Sequence, residues 1–214
     1  EQDSAVVCVE PSDGVENLLQ KQTLFERICD KASRVKWSNV VVLFSIHIMA
    51  VLEVIYIGFH SVLVATIVFT YVIGAFAAMG MAAGAHRLWA HRSFKARLPL
   101  RIFLVIFQAM TMNGSALSYA RDHRTHHKYS DTDADPKNPS RGLFYSHIGW
   151  WMLKKTQKVK DHGNKLDFSD LKDDWWLRWQ HRLYTPIFLV FGLIIPTAIP
   201  YFCWNEDPVS SLSV

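Results

Sequence analysis

The chain of 214 residues is 50% hydrophobic, with 23 basic against 19 acidic residues and a formal charge of +4. Its apolar residues fall in long blocks rather than being spread through the sequence, which excludes an ordinary soluble globule. Three cysteines without a spacing pattern exclude a disulfide scaffold, and no nucleic-acid-binding motif accompanies the basic residues.

In chain order, residues 1–36 form a polar arm with a weak apolar periodicity around Leu18 to Ile28, expected to be a short surface helix on the cytosolic side. The start at Glu1 resembles no secretory or mitochondrial presequence, and the chain is expected to be a fragment at one or both ends. Trp37 marks a membrane interface. Three spans follow at about 40–59, 62–85 and 183–204, each near the ~20 residues needed to cross ~30 Å of hydrocarbon. His47 and Glu53 lie inside the first and are expected to face neighbouring helices, hydrogen-bonded and neutral. Gly74, Ala78, Gly80 and Gly84 give the second span a smooth face for close helix packing, or for lining a cavity that takes a long ligand.

Every Lys and Arg lies before the first span or between His86 and Arg182, so residues 86–182 are expected to form a cytosolic cap and 205–214 a lumenal tail. Within the cap, the apolar stretch from Leu98 to Ser118 reads as an interfacial or re-entrant helix. A full span there would put His86 and His91 across the membrane from His123. Gly142 to Leu153 reads as a second interfacial segment with aromatic anchors. The basic cap suits anionic lipid head groups, a phosphorylated ligand or an acidic partner protein. Cys8, Cys29 and Cys203 are expected to be free thiols.

Two clusters carry the chemistry: HRLWAH, with His86 and His91, and HRTHH, with His123, His126 and His127. On a helix His123, His126 and His127 share a face, able to hold one metal or bridge two. His86 and His91 stand about 140° apart on an ideal helix at ~100° per residue. That pair fits two separate metals or a helix that ends between them. This is not the HExxH arrangement of a zinc protease, since His86 and His91 lack the i, i+4 spacing and the intervening glutamate, and Asp131, Asp133 and Asp135 are not a calcium loop, because Pro136 and Gly142 occupy required positions. Imidazole-rich ligation suits iron that activates oxygen, with the aspartates orienting imidazoles or shaping the turn before Pro136.

The segments GAHRLWAHRSFKARLPLRIFL, RDHRTHHKYSDTDADPKNPSRGLFYSHIGWW and GNKLDFSDL resemble the membrane-bound acyl-CoA desaturases of the stearoyl-CoA Δ9 type and their insect relatives. The likeness runs from about Trp37 to Trp204. It implies an all-α membrane protein of the endoplasmic reticulum, whose cytosolic helical cap carries a histidine-rich di-iron site. The implied enzyme uses dioxygen and electrons from cytochrome b5 to place a double bond in a saturated fatty acyl-CoA. By this resemblance His86, His91, His123, His126 and His127 would be iron ligands. Asn39, Arg121, Asp122, Lys154 and Lys155 would hold the CoA portion. Asn113 and Tyr119 would line the bend of the acyl tunnel, with Gly74 and Ala78 beside its methyl end.

The sequence departs from that pattern. It stops at Val214, before the third histidine box and fourth span that the resemblance implies, so five of nine expected ligands fall within it. Tyr119 replaces the usual tryptophan and Asn113, Gly114 and Ser115 replace QND, which leaves the regiochemistry open; Gly74 replaces a bulkier residue, which favours a deeper tunnel. Alternatives are a related di-iron lipid hydroxylase and an inactive paralogue that binds acyl-CoA or a full-length partner, as homo- or hetero-oligomer.

Overall fold

The structure is a computed structural model and describes residues 34–60 and 62–212. The surface helix expected around Leu18 to Ile28, with Cys8 and Cys29, lies outside the described residues. Among the described residues the protein is all helical, apart from one isolated antiparallel bridge between Val35 and Leu153.

Three helices are long and apolar enough to cross a membrane: α1 (Trp37–Phe59), α2 (Val64–Ala90) and, late in the chain, a helix over Tyr184–Trp204. Between the second and third of them lie α3 (Leu98–Ala109), α4 (Ala116–Lys128), α5 (Gln157–Gly163), α6 (Ser169–Asp173) and α7 (Trp175–Arg182). The Tyr184–Trp204 helix is α8, and α9 (Pro208–Leu212) follows it. Their exposed faces carry large apolar side chains such as Val54, Tyr71 and Phe202, as lipid contact requires.

The first span begins at Trp37, three residues before the sequence reading, and the second runs on to Ala90, past His86. That extension changes geometry at Gly80. From Gly80 to Ala90 the backbone bonds i→i+5 instead of i→i+4, and the series closes with the His91 N–H on the His86 carbonyl at 2.9 Å. A wider turn takes more residues, so a side chain five positions on returns toward the same face.

At 12 residues α3 is too short to cross the hydrocarbon, in line with a re-entrant or interfacial helix. It packs closely on α2, because Gly80 and Gly84 present no side chain. A Cβ on Gly80 would stand 2.3 Å from the Gln108 backbone nitrogen, and one on Gly84 3.1 Å from Leu104 Cβ. Gly74 has open space around it instead, so only part of the smooth face serves packing. The contact continues into a core of Ala85, Trp89, Leu104, Val105, Leu117, Leu171 and Leu177, which joins α2, α3, α4, α6 and α7.

Buried polar groups join the elements around this core. Gln180, fully buried on α7, accepts from the Ala116 N–H and donates to the Val105 carbonyl, tying α7 to the start of α4 and to α3. Asp174 caps α7 by accepting from the Trp176 N–H, and it also receives the Trp89 indole N–H at 3.2 Å and the Arg101 guanidinium. At the far end of the spans, buried Glu206 accepts from the Leu63 N–H and Thr66 Oγ1, fastening the segment after α8 to the start of α2.

His47 departs from expectation. It is exposed on α1, and its ring nitrogen bonds back to the Leu43 carbonyl at 2.8 Å, so the helix satisfies it without a neighbour. Glu53 is half-buried, with one carboxylate oxygen lacking a hydrogen-bond partner among the described residues.

Candidate metal centre

Ser115 starts α4 by accepting from the Ser118 N–H at 3.2 Å, and the helix then presents His123 and His127 on one face. The wide turn of α2 delivers His86 and His91 to the same point. One ring nitrogen from each of the four lies within 4.8 Å of the others. His91 Nε2 is 2.9 Å from His86 Nε2 and 3.1 Å from His123 Nε2, while His127 Nε2 is 3.0 Å from His123 Nε2. The i, i+5 pair therefore converges on one centre because the helix changes pitch between them.

A neutral imidazole has one N–H and one lone pair. Four Nε2 atoms aimed at one another cannot all be satisfied by sharing protons, whereas a cation would accept every lone pair. Burial, together with the charge that His127, His86, Lys137 and His91 would add, pushes the His123 imidazole down to about 3. His127 is lowered by burial and by His91 and His126. Both rings are thus held neutral with lone pairs available, as metal ligation needs, and an all-imidazole donor set suits a first-row transition metal, iron among them.

His126 stands apart from the four. Its ring centroid is 6.0 Å from that of His123 and 5.4 Å from that of His127, and its Nδ1 contacts Asp135 Oδ1 at 2.8 Å. Asp135 is buried and also accepts from the Lys137 N–H at 2.8 Å and the Asp131 N–H at 3.2 Å. One carboxylate thus shapes the turn and fixes a histidine tautomer, leaving His126 Nε2 as the free donor. Asp133 instead pairs with Lys158 at the surface.

Sequence reasoning missed the clamp on His91. Arg124 donates to the carbonyls of Trp89 (2.5 Å) and Ala90 (3.1 Å) and pairs with Asp170. Asp170 also holds Arg92, whose backbone is left-handed at φ 53. The residues on either side of His91 are therefore anchored to α4 and α6, which sustains a costly backbone conformation beside the cluster. These two arginines hold the Asp170 carboxyl well below the usual range. Arg124 sits inside HRTHH and Asp170 inside GNKLDFSDL, so the motifs contained the signal, but nothing in their spacing reveals the contact.

A cavity of about 250 Å³ opens beside the cluster, with His123, Tyr119, Asn113, Asp122, Lys154 and Lys155 on its wall. Lys155 pairs with Asp122, and the Tyr119 ring stacks on His123 with centroids 5.4 Å apart. Asn39 touches this wall from α1 by donating to the Trp151 carbonyl at 2.7 Å. Arg121 faces an adjoining cavity that shares Asp122 and Lys155, and its guanidinium lies 5.5 Å from the centre of the Phe168 ring. Gly74 and Ala78 are exposed on α2 and line neither cavity, so the structure does not bring them to the other expected ligand-binding residues.

A fatty acid desaturase family model matches residues 61–210. Stearoyl-CoA desaturase 2 of Rattus norvegicus is 46% identical over 178 residues, covering 83% of this chain and 49% of the relative. Delta(9)-fatty-acid desaturase fat-7 of Caenorhabditis elegans is 40% identical over 204 residues, 95% of this chain and 59% of the relative. Acyl-CoA desaturase 1 of Tachysurus fulvidraco is 45% identical over 177 residues, 81% of this chain and 51% of the relative. The chain spans about half the length of the curated relatives it matches. A cluster of imidazoles where a long apolar helix meets a short polar one, in a sequence this similar over this much of its length, places the chain in the fatty acid desaturase family.

Proposed function

We propose that these residues form the core of an acyl-CoA desaturase, which places a double bond in a saturated fatty acyl-CoA at the cytosolic face of the endoplasmic reticulum membrane. The observation that carries this reading is the four-histidine cluster sharing a wall, through His123, with a lysine-lined cavity.

His86, His91, His123 and His127 would hold iron, with His126 and ligands from outside these residues completing a two-iron set. Iron with dioxygen would supply the oxidising power to break unactivated C–H bonds, which no side chain can do. The protein's part is position. Arg124 and Asp170 hold His91 in place, and Asp135 holds His126. Lys154 and Lys155 suit the CoA phosphates, while the acyl chain gains ~0.8 kcal/mol for each methylene buried on apolar surface. Dehydrogenation removes two hydrogens from the chain and, with two electrons and two protons from outside, reduces dioxygen to two waters. The electrons are assigned to cytochrome b5, and an acidic docking surface on the donor would suit the basic cap.

The test is to supply the detergent-solubilised protein with iron, stearoyl-CoA, dioxygen and reduced cytochrome b5 and to identify the acyl product by mass spectrometry. A product two mass units lighter supports the proposal. A hydroxylated product would make the protein a lipid hydroxylase, and acyl-CoA binding without turnover would leave the binding role alone.

A further inference from the structure

Lys137 follows the turn that Asp135 shapes, and its ammonium reaches into the cavity beside His123. It lies 4.6 Å from the centre of the Trp150 ring and 5.5 Å from that of Tyr119. Tyr119 stacks on His123 on its way to the cluster, so the order across the cavity is imidazole, phenol ring, ammonium, indole. Among the described residues no carboxylate or carbonyl accepts from Lys137 Nζ, unlike Lys155 and Lys158, which pair with Asp122 and Asp133. Burial pushes this amine down against the weaker pull of Asp122 and Asp135. Aromatic faces hold a cation by its charge but accept none of its N–H bonds directionally. A partly buried ammonium with unfilled donors turned toward a cavity is therefore a binding site for an oxygen acceptor.

We infer that Lys137 is a substrate-positioning residue whose ammonium, caged by Trp150 and Tyr119, hydrogen-bonds the thioester carbonyl oxygen of the acyl-CoA. The choice among the ligand's oxygens follows from its chemistry. Counting back from the apolar chain, the thioester carbonyl is the first oxygen met, and the phosphates lie beyond the pantetheine arm. Of the lysines on this wall, Lys137 is the one among the cations bearing on His123. Lys36, Lys154 and Lys155 also line this wall, and Lys36 is lowered by burial and by Lys155. Those three suit phosphate, which leaves Lys137 for the carbonyl. A fixed carbonyl would set the register of the acyl chain past His123, and with it which carbons face the cluster.

This inference rests on the acyl-CoA reading of the cavity, and the experiment separates the two. Binding of palmitoyl-CoA and of its thioether analogue S-hexadecyl-CoA, which lacks the carbonyl oxygen, is measured by calorimetry on the detergent-solubilised protein and on Lys137→Met. The methionine keeps the length and apolar contact of the stem while removing the charge. Wild-type protein should bind palmitoyl-CoA more tightly than the thioether, and Lys137→Met should lose about 10-fold or more for palmitoyl-CoA alone, abolishing the difference. Equal losses for both ligands would move Lys137 to the phosphates and overturn the inference, as would no loss for either. Wild-type protein that binds neither ligand would overturn the acyl-CoA reading and the inference together. Lys137→Arg, which keeps the charge with altered reach, should recover part of the preference, and its unfolding midpoint checks that the cage tolerates substitution.

Discussion

Replacing Asp135 by Asn should separate the metal centre from the fold around it. The carboxylate accepts three bonds while almost fully buried: from His126 and the Lys137 N–H on Oδ1, and from the Asp131 N–H on Oδ2. Asparagine can keep the two on its oxygen, now without charge, but its amide N–H₂ then faces the Asp131 N–H, donor against donor. Losing charge assistance costs about 1 kcal/mol per bond and stranding a buried donor ~1–3 kcal/mol, so the variant should lose ~3–5 kcal/mol in all. If His126 is a ligand, the loosened ring should also weaken iron binding ~10–100-fold. The assays are unfolding in detergent followed by circular dichroism, and iron titration followed by elemental analysis. An Asp135→Asn protein that is destabilised as expected yet binds iron with unchanged affinity would refute the claim that Asp135 acts on the metal through His126. One that is neither destabilised nor impaired would refute the hydrogen-bond accounting itself.

Gly80→Ala should lower the thermal midpoint sharply, at the upper end of the ~1–3 kcal/mol usual for overpacking, because its Cβ would meet backbone atoms of Phe107 and Gln108 that cannot step aside. Gly74→Ala, with nothing within 4 Å of the new Cβ, should leave that midpoint unchanged or slightly raised in the same melt. Because Arg124 and Arg92 depress the Asp170 carboxyl, its stabilising effect is full above the ordinary value of 3.8 and fades as the pH falls through the lower folded value. Asp170→Asn should therefore destabilise the protein at pH 7 and lose less stability than the parent on acidification, as an acid unfolding series would record. Arg124→Lys keeps a charge but not the fork that spans the Trp89 and Ala90 carbonyls, so it should weaken iron binding while leaving the helix content near that of the parent.

The sequence by itself determined the all-helical membrane class, the three long apolar helices and the shared face of His123 and His127, because hydrocarbon thickness and helix periodicity both act through residue type and local order. Block length locates a span without knowledge of its neighbours, and His123 with His127 at i, i+4 share a face on any α-helix. Tertiary structure decided the rest. On an ideal helix His86 and His91 diverge, and their convergence depends on a change of pitch that begins where Gly80 lets α3 approach. The role of Asp135 was open in the sequence between ligand orientation and turn formation, and the fold gives it both through one buried carboxylate. The clamp of Arg124, Asp170 and Arg92, and the cage around Lys137, join residues far apart in the chain. No periodicity or spacing encodes such contacts, since they arise only when separate helices are brought to one face by the packing of their apolar sides.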